Sequence, residues 1–520
     1  MHKLRNRLLI CLLVLLVPLY GCGGDDPTVQ SPPPTSVIQV TEGGKSGSAS
    51  TQATMEPTET PLPVKESTRY SDYNIVVDVN PETRTVSGVE KVLYKNRTGM
   101  ALEQVYFNLY LNAFNRTASY KPYFESFEPA IFANGKDYGY INITNAMVNN
   151  EGAVFNVKET VLTITPPEPL PPDAEMEITI VFDAYIPSIN HRTGSNDMAM
   201  WMGNFFPVLA VYDENGWHKG PYYPAGDPFY SNIANYQVKV TTPVGYTVVG
   251  TGEEVSTESG DVNTTDITAK LVRDFAFAVS RAYRVDTQKT KYGVYVNLYS
   301  YSDVPEAGAV LQMAVQALEA YSERIGSYPY TSFDIVEIGA LPIQGGAEYP
   351  GITFVDASSF RSEAKLQWLG RELGHQWFYN VIGSNQIKEA WLDEGLTEYV
   401  SQGILYTPDE TAQAMENDYN ALAAALPTIE NKTLLQDLSV YKNWSEYRSI
   451  QHTRAKLMMY ALERKLGAEV MDDFLRTYYA KYQFRLSNKN EFVATIEEVS
   501  GIDLTDFFRG WMEDFTLPPL

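Results

Sequence analysis

Between residues 70 and about 285, apolar and polar positions alternate in short runs. Tyr73, Ile75, Val77 and Val79 are spaced two apart, and the same period returns over 86–94, 176–182 and 236–242. A period of two is that of a half-buried strand. Turn formers separate the runs: Asn80-Pro81, Glu214-Asn215-Gly216 and Thr251-Gly252. Many short strands without helical periods predict a sandwich or a curved open sheet. After about residue 289 the period changes. Val310, Met313, Ala314, Ala317, Leu318 and Tyr321 mark a helix over 304–325. Strands are expected at 333–338 and 352–355, and helical periods dominate from 362 onward. The expected class is therefore α+β, with an N-terminal sandwich or curved-sheet domain over 69–287 and a mixed α/β domain over 288–520.

The first 68 residues do not share these patterns. Lys3, Arg5 and Arg7 precede an almost purely apolar run over 8–19, which is the layout of a signal peptide and too short to span a bilayer. Leu19-Tyr20-Gly21-Cys22 follows, and it resembles a bacterial lipobox. The expectation is a signal peptide over 1–21 and acylation of Cys22, which places the chain on the extracellular face of a bacterial cell membrane, held there by lipid. Residues 23–68 lack Phe, Trp and Tyr and are rich in Pro, Ser, Thr and Gly. Such a segment buries too little to offset its ordering entropy, so 22–68 is expected to be a disordered tether, spanning on the order of 40 Å as a flexible coil.

Composition narrows the chemistry. The 520 residues are 44% hydrophobic and carry a formal charge of −24. Acidity of this size argues against nucleic acid as a partner. Two cysteines, Cys11 and Cys22, exclude a disulfide scaffold and a cysteine-rich zinc module. With five histidines (His2, His191, His218, His375 and His452), any metal site has few imidazoles to draw on. His191 and His218 fall in the β-region and read as packing or surface residues.

The candidate chemistry sits at Arg371-Glu372-Leu373-Gly374-His375, on a helix with an apolar stripe at Leu366, Leu369, Leu373 and Trp377. Positions 371 and 375 are four apart and share a helical face turned away from Leu373. Zinc peptidases use this frame as His-Glu-x-x-His, with both imidazoles on the metal and the Glu acting on the metal-bound water. Nineteen positions after His375, Glu394 stands where the third ligand comes from the next helix.

Most of 70–520 resembles the aminopeptidase-N and leukotriene-hydrolase family of gluzincin metallopeptidases, in its short bacterial form. Beyond the helix, the resemblance rests on Gly345-Gly346-Ala347-Glu348-Tyr349-Pro350-Gly351, on Arg273-Asp274-Phe275-Ala276-Phe277, on the stretch 205–217, and on the C-terminal stretch 511–520. It implies a β-saddle followed by a thermolysin-like domain with a cleft between them, zinc as cofactor, and peptides or protein N-termini as partners. It also implies that Glu372 is the general base and that His375 and Glu394 are zinc ligands. Glu348 would hold the α-amino group, and the backbone of Gly345, Gly346 and Ala347 would line the peptide. His452 falls where the family has its oxyanion-stabilising Tyr, with Tyr447 five residues earlier.

One departure outweighs the others. The first ligand position holds Arg371, and a guanidinium has five donors and no lone pair to give a metal. The expectation is that zinc is not bound or is bound weakly, and that Arg371 instead pairs with Glu394 and with Glu348 or Glu372. Three readings follow: a catalytically impaired pseudopeptidase that binds peptides or a partner, an active zinc aminopeptidase, and a structural surface lipoprotein.

Overall fold

The computed structural model describes residues 70–342, 345–362 and 365–520. Cys22, the signal segment and the tether lie outside the described residues. Residues Glu66–Leu520 cluster into one compact unit.

The alternating runs of the N-terminal region are strands of an eight-stranded sheet. Ser71–Asn80 pairs antiparallel with Thr85–Lys95 and parallel with Ala234–Pro243. Thr85–Lys95 in turn pairs with Glu175–Tyr185. The burial of Ser71–Asn80 switches residue by residue, with Tyr73, Ile75, Val77 and Val79 inward. One face is therefore core and the other meets solvent, as antiparallel sheets allow. Two four-stranded sheets and a two-stranded one, Tyr212–Asp213 with Gly216–Trp217, also lie in this region. One of the four-stranded sheets joins Thr193–Ser195, Ala199–Gly203, Ala276–Ser280 and Thr247–Gly250.

The second region is built on a five-stranded sheet in the order Arg284–Lys289, Tyr295–Ser300, Ser332–Ile338, Ile352–Asp356, Gly346–Tyr349. Its first strand straddles the expected domain boundary at 287/288. The central pairs are parallel, and Ser332–Ile338 and Ile352–Asp356 are buried along nearly their whole length, because both faces are covered there. Gly346–Tyr349 runs antiparallel along the edge, with Ala347 opposite Phe354 and Glu348 opposite Thr353. Helix Ala307–Arg324 covers the sheet, burying Val310, Ala314, Ala317, Leu318 and Tyr321. Among the described residues no helix is long and apolar enough to cross a membrane.

The helix of the candidate motif runs Lys365–Gly374 and stops short of Trp377, which had been expected on its stripe. A Cβ at Gly374 would stand 2.7 Å from the Tyr321 hydroxyl and 2.8 Å from Thr397, so neighbouring elements crowd the chain there. Past that point the bonds tighten: Gln376 N donates to Leu373 O and Trp377 N to Gly374 O. Trp377 turns inward and stacks on Tyr321 at 5.1 Å. His375 N still donates to Arg371 O at 3.1 Å, so these two residues remain one above the other.

Candidate active site

Three elements meet around the motif. Gln376 ties the site helix to the edge strand: its amide donates to Tyr349 O at 2.9 Å, and its oxygen accepts from Gly351 N at 2.8 Å. Gly346 lies directly against Glu372, where a Cβ would come within 2.6 Å of Cγ. The next helix, Trp391–Leu405, brings Asp393 and Glu394 in its first turn. It approaches helix Ala455–Leu466 so closely that a Cβ at Gly395 would sit 2.2 Å from that of Ala455.

Arg371 lies at the centre. Its Nη1 is 2.9 Å from Glu394 Oε2 and 2.9 Å from His375 Nε2, and its Nη2 is 2.9 Å from Glu372 Oε1. The expected pairing with Glu394 and Glu372 is thus present. Burial works against the charge on Arg371, and the surrounding carboxylates, Glu372 and Glu394 first, hold its pKa well above the ordinary value. Burial in turn lifts Glu372 and lifts Glu394 further, against the pull of Arg371. His375 Nδ1 faces Asp393 Oδ1 at 2.6 Å. Burial opposes a charged ring here, and Asp393 and Glu348 outweigh it and pull the pKa upward. The ring is thus held between Arg371 on its Nε2 side and Asp393 on its Nδ1 side.

Glu348 does not contact Arg371. It pairs with Arg192 of the β-region, at 3.3 and 3.4 Å to its two oxygens, and Arg192 also closely contacts Asp227. Burial disfavours the ionised form of Glu348. Arg192, then His375 and Arg371, overcome this and hold its pKa down to about 2. Asp227 responds differently, and burial lifts it to about 6 despite Arg192.

His452 lies in a wide-turned helical segment, Arg448–Arg454, with Nδ1 3.0 Å from Glu398 and 3.4 Å from Glu394. Its Nε2 is buried and unpartnered, as is the Tyr447 hydroxyl. Tyr447 fits because residue 226 is Gly in a left-handed conformation (φ +62°), where a Cβ would stand 2.6 Å from that hydroxyl. The neighbouring Lys456 holds Glu398 and Asp418. Burial favours neutral Glu398, but Lys456 and His452 bring its pKa well below the ordinary value.

The donor set does not fit zinc. Catalytic zinc sites take three protein ligands and one water. Here His375 and Glu394 direct their donor atoms at a guanidinium, which already supplies the positive charge between them. A metal at that point would displace Arg371 from both, and Arg371 cannot ligate in return.

Residues 309–511 match the model described as the Peptidase family M1 domain. Leukotriene A-4 hydrolase of Xenopus laevis is 22% identical over 44% of this chain and 40% of its own length. Aminopeptidase N of Streptomyces lividans is 22% identical over 54% of this chain and 35% of its own. The chain spans about a third of the length of the first curated relatives it matches. Among solved structures, an M1 zinc metallopeptidase from Deinococcus radiodurans superposes with a TM-score of 0.65 at 18% identity, covering 87% of this chain and 96% of that one. A variant of that enzyme, bound to a Tyr-Ser-Ala substrate, superposes with a TM-score of 0.64. The chain resembles the M1 zinc metallopeptidases. The two-domain fold of the M1 neighbours is also the architecture expected from the periods, a sheet-rich N-terminal region followed by a mostly helical one.

Glu372, His375, Glu394, His452, Glu348 and the Gly345-Gly346-Ala347 strand all come together around one cleft. Sequence reasoning missed Arg192 and Asp227. Neither stands in a motif of its own, and only the packing of the β-region against the edge strand brings them to Glu348. Asp393 had a weak signal, since it directly precedes Glu394. His191 packs against Phe114 and Tyr222, as a histidine of the core.

Proposed function

We propose that this chain is a lipid-anchored protein of the bacterial cell surface with an M1 peptidase fold, whose cleft binds peptides or a partner's polypeptide without zinc-dependent hydrolysis. The observation that carries this reading is Arg371, seated 2.9 Å from both His375 and Glu394. A catalytic metal needs the lone pairs that these two atoms direct at the guanidinium. Retention of the peptide-lining strand Gly346–Tyr349 and of the neighbouring cavities supports binding as the surviving property. The M1 relatives bear on the ligand class, since one structure of the Deinococcus enzyme is described as bound to Tyr-Ser-Ala.

Glu372, His375 and Glu394 are retained, and this keeps active zinc aminopeptidase as a second reading. Metal analysis of the purified chain, with assays for release of N-terminal residues, separates the two. The proposal expects no stoichiometric zinc and no chelator-sensitive release. One zinc per chain with chelator-sensitive release would establish the enzyme instead. Titration with peptides separates the binding protein from a purely structural lipoprotein, for which no saturable binding is expected.

A further inference from the structure

The cleft has two adjoining chambers that share Gly345, Arg371 and Trp444. One, of about 130 Å³, is lined by Arg192, Asp227, Tyr123, Tyr222 and the Gly345-Gly346-Ala347 backbone. The carboxylates that line it, Asp227 and Glu394, are withdrawn, with side chains 8% and 3% exposed, and Glu348 lies behind Arg192 at 1%. The side chains of Arg192 and Arg371 are less withdrawn, at 16% and 23% exposed. A group entering from solvent therefore meets the two arginine side chains before carboxylates that each already hold a protein cation.

We propose that Arg192 is the specificity-determining residue of the cleft, and that the chamber takes a peptide segment with no ammonium, N-acylated or internal to its chain, rather than a free N-terminus. The inference rests on the peptide-binding reading above. An ammonium would have to displace Arg192 from both Glu348 and Asp227, giving up a buried charge-assisted pair to form another. It would also approach two fixed cations in the same chamber. An amide end carries no such penalty. It can pack on Tyr123 and Tyr222 and pair with the backbone of the edge strand that lines the chamber.

The test is calorimetric titration of the full chain with Tyr-Ser-Ala and with N-acetyl-Tyr-Ser-Ala. The native chain is expected to bind the acetylated form at least as tightly as the free one. Arg192→Met is expected to shift the ratio about tenfold toward the free form, roughly 1.4 kcal/mol, because Glu348 and Asp227 then lack a cation. Arg192→Gln covers the case in which the Met variant does not fold. Arg192→Lys is expected to retain the native preference, which a purely structural role would not require. Tighter binding of the free peptide by the native chain, or an unmoved ratio in folded Met and Gln variants, overturns the proposal while leaving the cleft a peptide site. No binding of either peptide by any form overturns the peptide-binding reading, and this inference with it.

Discussion

Arg371 and Arg192 each bridge two buried carboxylates within one cleft, yet the two places differ in how their charge is settled. Around Arg371, burial has lifted both Glu372 and Glu394 toward protonation, so that cluster can relax by taking up a proton. Around Arg192, Glu348 is held ionised with its pKa down to about 2, and Asp227 sits near 6. A carboxylate held charged in the interior depends on its partner far more than one whose burial favours the neutral form. A buried Arg can thus sit among carboxylates that burial pushes toward the neutral form or beside one that it keeps ionised, and the partner's ionisation tells the two apart.

The largest contrast is expected from restoring a ligand. Arg371→His supplies a third donor beside His375 and Glu394 and is expected to take the chain from no stoichiometric zinc to one equivalent. Arg192→His leaves Arg371 seated between His375 and Glu394 and is expected to bind none. Metal analysis after dialysis checks both, and equal metal content in the two would remove the distinction. Next in size are the neutral replacements. Arg192→Met strands an ionised Glu348 and is expected to cost about 3–5 kcal/mol in chemical denaturation. Arg371→Met is expected to cost about 1–3 kcal/mol, because its carboxylates can protonate. A reversed order would show that the two clusters have been ranked wrongly.

A pH profile gives a smaller separation. Burial, helped by nearby Arg192, takes His191 from an ordinary 6.5 to about 3. Between those values the unfolded chain binds a proton that the folded chain does not, so stability falls as pH drops from 6.5 toward 3. His191→Phe is expected to flatten that slope. His452, near Arg371, is also lowered by burial, but Glu398 opposes the shift, so its replacement is expected to flatten the slope less. The smallest effect belongs to Tyr447→Phe. Its hydroxyl is buried without a partner, so removing it is expected to change stability by no more than about 0.5 kcal/mol, toward greater stability. A loss beyond that would reveal a contact for this hydroxyl.

Periodicity alone located four of the eight strands of the large N-terminal sheet. Runs expected at 73–79, 86–94 and 236–242 became Ser71–Asn80, Thr85–Lys95 and Ala234–Pro243, and the helix over 304–325 became Ala307–Arg324. These succeed because one buried face imposes its period on the chain. The end of the site helix was not legible in the same way. Leu373 and Trp377 keep helical spacing, but crowding of Gly374 by Tyr321 and Thr397 ends the helix before the stripe does. That constraint comes from residues far away in the chain.

The sequence by itself determined that the first ligand position cannot bind a metal. The side chain's chemistry decides this, and no fold gives a guanidinium a lone pair. It also determined that Arg371 shares a face with His375, because spacing on a helix is local geometry. What cancels the charge on Glu348 was decided by tertiary structure alone. Arg192 and Glu348 are 156 positions apart, and their approach depends on how the β-region packs against the edge strand of another sheet. Local spacing can be read along a chain, whereas the pairing of buried charges depends on which surfaces the fold removes from water.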